Sequence, residues 1–285
     1  VKKQQWYLMG AGLVVLACLL IFGKTVNPEQ KAIAPSASHE HANETFSIDK
    51  HLEESKKQLN KEQAAYIAAL ENSVSRGDVK TQQEQMYQQL AKWWHDSLHN
   101  HELYVFYLSK AAMLVNSEKN LTFAARQILQ QAKSEEDGAK RGWKAEQAIS
   151  LFEKAIALNP NNDSLQVELG SCYVFGKGMA GDAQETMKGI QQVLKVVRKD
   201  STNMQAQLVL GIGGVISRQY SKAIPRLELV VSQQPANMEA ITWLAQAYEA
   251  NGDKANAIKW YEYSKKVANN AAYSSEVDAH VQILK

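Results

Sequence analysis

Around Pro235 the chain repeats itself at an interval of about 34 residues, and this period constrains the fold more than any other feature. One interval back from Pro235 lies Ser201, and one interval forward lies Asn269. Within residues 204–237, Leu210-Gly211 are followed by Ala223, Leu227 and Pro235. The next unit, from Met238, repeats the order with Leu244-Ala245, Tyr248, Ala257, Tyr261 and Ser264. The unit 163–203 holds Leu169-Gly170 and Tyr173, then Gly189, Val193 and Val196, with about seven extra residues between its helices. Before it, Ala148, Phe152, Ala155 and Pro160 close another unit, whose helix pair is split by an insertion around residues 135–144. A unit this short cannot bury an apolar face alone, so several must stack into one continuous core. Small residues let paired helices approach, bulky ones fill the holes between units, and proline cannot continue the second helix.

These residues resemble the tetratricopeptide-repeat (TPR) pattern: a large residue, then Leu-Gly, Tyr, Ala, an aromatic, Ala and Pro at set offsets. The match covers roughly residues 121–270. The resemblance implies an all-α fold, a TPR-type right-handed helical solenoid, whose first helices line a concave binding face. Carried over, the family's groove positions are Ser164, Val167, Glu168, Ser171, Val174 and Phe175 in one unit. The next unit gives Gln205, Leu208, Val209, Ile212, Val215 and Ile216, and the last gives Glu239, Thr242, Trp243, Gln246, Glu249 and Ala250. Among these, Val167, Ser171, Val174, Leu208, Val209, Ile212, Val215, Ile216, Thr242, Trp243 and Gln246 form the candidate protein-binding groove. None of the positions carried over holds Lys, Arg or Asn, so the family's clamp for acidic C-terminal tails is disfavoured. The helix beginning at Met204 is apolar nearly all round and must be buried on every side. Either a partner segment covers Leu208, Ile212 and Val215, or part of this chain does.

The N-terminus sets an expectation of topology. Residues 6–22 carry no charge and would span roughly 26 Å as a helix, near the lower limit for a bilayer core. Trp6 and Tyr7 sit where an interfacial aromatic belt falls. No small-x-small cleavage site ends the run, which favours an uncleaved anchor over a signal peptide. Val15-Leu16-Ala17-Cys18 looks like an imperfect lipobox, but Leu19-Leu20-Ile21-Phe22 after the cysteine are apolar where a polar tether is expected. Lys2 and Lys3 precede the segment, while Lys24 and Lys31 after it are offset by Glu29. That bias places the N-terminus in the cytoplasm and the rest in a bacterial periplasm, single-pass in the inner membrane.

The expected organisation is an anchor over residues 1–24, a flexible tether over 25–47 and N-terminal helices over 48–117. A TPR array over 118–270 and a C-terminal capping helix over 271–285 complete it. Leu52, Leu59, Tyr66, Ile67, Leu70 and Val74 mark one amphipathic helix, broken at Arg76-Gly77-Asp78. Helices over residues 81–98 and 102–115 have the makings of a degenerate repeat, and another covers 121–132. Val277, Val281 and Leu284 form the stripe with which the last helix would cover the array's end.

Chemistry-bearing motifs are sparse. Gly176-Lys177-Gly178-Met179-Ala180-Gly181 spells a dinucleotide fingerprint, but it follows a helix and reads as a flexible inter-helix turn. His95, His99, His101 and Glu102 are the densest ligand-type group, yet a break at Asn100 separates them, so a solvated helix end is expected. His39 and His41 sit on the tether, where a metal site would not be held. Of Trp93 and Trp94, at least one belongs in the core. Cys18 and Cys172 are expected to be free, buried thiols. With 32 basic against 30 acidic residues, no nucleic-acid surface is indicated.

The reading is therefore a membrane-tethered, non-enzymatic scaffold of the cell envelope without cofactor or metal, active in secretion, assembly or envelope biogenesis. Its partner is a protein bound through an apolar segment. The alternatives are a periplasmic holdase or apocytochrome-binding TPR module, and a self-associating structural subunit that forms a homo-oligomer.

Overall fold

The computed structural model describes residues 46–76 and 79–285. The expected membrane segment, nearly all of the tether, Cys18, His39 and His41 lie outside the described residues. Among those described, no helix is long and apolar enough to cross a membrane.

Every regular element of the described residues is helical. Two helices, α1 (Ile48–Lys57) and α2 (Lys61–Arg76), precede five helical hairpins. These are α3 (Lys80–Leu98) with α4 (His101–Val115), α5 (Glu118–Ser134) with α6 (Gly138–Leu158), and α7 (Asp163–Ser171) with α8 (Ala183–Lys199). Then come α9 (Met204–Ile216) with α10 (Tyr220–Gln233), α11 (Met238–Ala250) with α12 (Lys254–Ala268), and a last helix α13 (Ala271–Leu284).

Capping residues set most of these boundaries. Ser117, Asn162, Asn203 and Asn237 cap α5, α7, α9 and α11, each side chain accepting from backbone N–H groups of the first turn. Asp137, Asp182 and Asp253 do the same for α6, α8 and α12, where the carboxylate also meets the positive end of the helix dipole.

The amphipathic stretch read as one helix from Leu52 to Val74 is two. Asn60 interrupts it: its Oδ1 accepts from the Gln63 N–H at 2.9 Å, while Gln63 Oε1 accepts from the Asn60 N–H at 3.1 Å. This reciprocal capping box starts α2 and turns the chain after Lys57.

The two apparent insertions are also helical. Residues 138–144 lengthen α6 at its start, and Cys172–Gly178 continue α7 as a π-helix. The extensions meet: a Cβ placed on Gly176 would overlap the Ala145 methyl, and one on Gly178 would crowd the Thr186 hydroxyl. Lys177 pairs with Glu146, and Arg141 Nη1 donates to the Met179 carbonyl at 3.2 Å. So the glycines expected in a flexible turn serve close helix packing. Of the three glycines in this stretch, Gly181 alone, at φ +95°, has the left-handed backbone that a turn requires.

The same device operates at the hairpin crossings. Gly170 lies against Val193 and the Gly189 carbonyl, and Gly211 against Leu227. Around them runs a core that passes from one hairpin to the next, with Phe152, Leu165 and Tyr173 on one side and Val193, Ile212, Leu227 and Ile241 on the other. At the end, Val277, Val281 and Leu284 of α13 pack against Ala245, Ala257 and Tyr261.

A buried charge network joins α1 and the α3–α4 hairpin to the later helices. The Lys144 side chain is only 3% exposed, and its ammonium lies 3.1 Å from Glu102 and 2.6 Å from Glu135. Lys140 and His51 approach Glu102 from two sides, at 3.6 and 3.7 Å. Asn100 adds a neutral link, capping α4 through Leu103 N–H while its amide donates to Ser55 of α1 at 3.1 Å. Burial alone would raise both carboxyl pKa values. For Glu102 the charges of Lys144 and Lys140 outweigh it, and for Glu135 the bonds from Lys144 and the Asp137 N–H do, so both end below the usual range.

Two outcomes follow for stability. Gly176→Ala should cost about 1–3 kcal/mol, whereas Gly142→Ala, in mid-helix with open space at its Cβ, should gain about 0.5–1 kcal/mol. Thermal melts of the two variants check this, since opposite signs are required. Because the folded-state pKa values of Glu102 and Glu135 are lowered, their stabilisation is present above the unfolded carboxyl range and fades as pH falls through the lowered values. Lys144→Met strands Glu135 and leaves Glu102 with only the longer contacts to Lys140 and His51, and should cost about 3–5 kcal/mol at neutral pH. That deficit should shrink on acidification, which denaturant titrations at pH 7 and pH 4 would reveal.

Candidate functional site

The first helices of the last three hairpins, α7 with its π-helical continuation, α9 and α11, present the residues singled out as a groove. Val167, Ser171, Val174, Leu208, Val209 and Ile212 are buried. Val215, Ile216, Thr242 and Trp243 are half-buried, and Gln246 is exposed. The all-round apolar helix α9 is thus covered by this chain. Leu208, Val209 and Ile212 share one core with Val174, Phe175, Val193 and Ile241, while Trp243 packs on its edge.

Phe175 lies in the π-helical segment that continues α7, at the position Ile216 holds in α9, and shares the core with Leu208, Val209 and Ile212. The Lys133 ammonium lies 4.0 Å above its ring and pairs with Glu239 of α11 at 2.9 Å. This clasp of cation, ring and carboxylate ties the end of α5 to the start of α11. A second cross-helix pair joins Arg126 of α5 to Glu168 of α7, at 2.9 Å from Nε and 2.8 Å from Nη2. Glu168 is buried, and its Oε2 makes no hydrogen bond among the described residues. Beside Arg126, Phe123 stands 59% exposed.

Phe123, Arg126 and Lys133 were missed by carrying groove positions over to three units and not to α5. The signal was present: counted from the cap Ser117 as from Asn162, Phe123 matches Glu168 and Arg126 matches Ser171. The face therefore does contain basic side chains, but Arg126 and Lys133 are already matched to carboxylates.

The other candidates resolve into structural roles. His99 ends α3 in the left-handed conformation at φ 50°, and Asn100 starts the next helix. The rings of His95 and His101 lie 5.4 Å apart, and burial followed by Lys144 holds the His101 pKa below the ordinary histidine value. Among the described residues no group of three or more His, Cys, Asp or Glu is placed to hold a metal ion. Trp94 is fully buried, with Trp93 edge-on to it at 5.1 Å. Cys172 is a free, buried thiol whose pKa is pushed up by burial, which leaves it inert.

Stacked helical hairpins that bury small residues at each crossing define a repeat protein. Residues 217–272 match the family model for the tetratricopeptide repeat. No curated protein matches the chain. Among solved structures it is similar to MamA from Desulfovibrio magneticus RS-1, with 15% identity over 68% of this chain and 97% of that one, at a TM-score of 0.45. It is similar also to PilW, described as a widely conserved type IV pilus biogenesis factor, with 17% identity over 71% and 93% of the chains and a TM-score of 0.45. YrrB, described as a TPR protein with an unusual peptide-binding site, shows 14% identity over 68% and 91%, at a TM-score of 0.42.

The clasp and the core beneath it should separate by mutation. Lys133→Ala should cost under about 1 kcal/mol, because the side chains of Lys133 and Glu239 remain 26% and 38% exposed. Ile212→Ala removes a fully buried side chain and should cost about 2–5 kcal/mol. Equal losses in urea titrations would mean that the ion pair, not the apolar contact, holds the face together.

Proposed function

We propose that the chain is a membrane-tethered interaction scaffold of the cell envelope. Residues 6–22 anchor it in the inner membrane, and the repeats stand in the periplasm, where they hold a partner protein through an apolar segment. The observation that supports a binding role is the exposed Phe123 on the first-helix face. Half-buried Val215, Ile216 and Trp243 lie on the same set of helices. A large aromatic left in water beside matched charges gives a partner an apolar anchor with an oriented polar surround. The partner adds to this rim, because the apolar floor at Leu208 and Ile212 is already covered.

Photoreactive residues placed at Phe123 and Gln246 of the full-length protein in membranes test this reading. Crosslinks from both positions to one other protein are expected, and Phe123→Ala should weaken co-purification of that protein. Crosslinks only between copies of the chain would favour the self-associating subunit instead. Retention in the membrane after alkaline extraction, lost on deletion of residues 1–24, is the expected result for the anchor.

A further inference from the structure

Away from the first-helix face, a cleft of about 690 Å³ opens between α10 and α12, the second helices of the last two hairpins. It exists because α10 and α12 each pack on α11, leaving an apolar trough between them. The floor is Val231, Pro235, Trp260 and Tyr263. Trp260 and Tyr263 stand edge to face, with centroids 5.7 Å apart at 89°. The Tyr263 hydroxyl donates to the Pro235 carbonyl at 3.1 Å, so the trough presents ring surface.

The charges on its rim are unequally committed. Glu262 is paired with Lys265 at 2.6 Å, and Glu228 on the opposite wall accepts the Tyr248 hydroxyl at 2.6 Å. Lys259 and Lys266 have no carboxylate within ion-pair distance among the described residues; Lys259 only overhangs the Trp260 ring, at 5.6 Å. Seven residues apart, these two lysines share a helix stripe with Tyr263 and stand roughly 10 Å apart along the axis. That separation matches an extended segment of three to four residues, at roughly 3.3 Å each.

We propose that this cleft docks a short acidic segment of a partner protein, whose one or two apolar side chains enter over Trp260 and Tyr263. Its flanking carboxylates reach Lys259 and Lys266. The volume lies within the usual range of roughly 300–1,000 Å³ for ligand sites, and the aromatic floor supplies the apolar term. The free ammoniums supply orientation and select against a basic segment.

The test uses the full-length protein and a fluorescein-labelled peptide in which two leucines are flanked on each side by two aspartates. Saturable binding at low ionic strength is expected, and it should weaken as salt is added. The double substitution Lys259→Glu with Lys266→Glu should lower affinity by at least about ten-fold, with the melting temperature unchanged because both side chains are exposed. Restoring the charge with Lys259→Arg and Lys266→Arg should retain binding, and a peptide with lysines in place of the aspartates should not bind. Phe123→Ala separates the two faces and should leave this peptide's affinity unchanged. The proposal is overturned by absent saturable binding, by equal binding of acidic and basic peptides, or by insensitivity to the double charge reversal.

Discussion

Each hairpin of this chain leaves an apolar surface that only its neighbour can cover, and everything else in the structure depends on how closely the neighbours approach. Gly170 against Gly189 and Val193, and Gly211 against Leu227, set the spacing inside two hairpins and with it the surface that each offers its neighbour. A side chain at either glycine would force the paired helices apart, and the error would propagate because the next hairpin packs on both. Fully buried Ile212, Leu227 and Ile241 then fill the space between units. Each is worth about 1.5–3 kcal/mol of transfer free energy, so the stack is held by many modest terms spread along its length.

The repeats from Asp163 onward were legible because their spacing, small residues and caps agree with one another. The same letters elsewhere misled for identifiable reasons. Residues 135–144 and about seven extra residues in the unit 163–203 break the period, and a period-based reading turns such breaks into loops. In the structure residues 138–144 belong to α6, and in the unit 163–203 the first helix runs on to Gly178 and the second spans 17 residues, which a scan of one repeat at a time cannot see. Gly176 and Gly178 look like loop glycines in isolation; next to Ala145 and Thr186 they are contact glycines.

The N-terminal helices were harder still, since their joint to the array is polar. Glu102 sits in a histidine-rich stretch that suggested a solvated helix end. It is in fact buried with Lys144, Glu135, Lys140 and His51, partners drawn from other helices. Hydrophobic periodicity carries no information about such a network. Asn100 was visible as a helix breaker, whereas Asn60 was read through as part of one helix, and the reach of the Asn100 amide to Ser55 depends on tertiary packing.

The candidate groove shows the limit most plainly. The family positions fall on the first helices, but position alone does not say whether a side chain is free. Phe175 shares the core with the apolar helix α9, and Lys133 and Glu239 close above it. Arg126, Lys133, Glu168 and Glu239 on the first-helix face are consequently matched within the chain, whereas Lys259 and Lys266 on the second-helix side have no carboxylate within ion-pair distance among the described residues. A partner that binds the first face must compete with existing pairs or settle for the exposed Phe123. One that binds between α10 and α12 meets unmatched ammoniums over a preformed aromatic floor, with no internal pair to break.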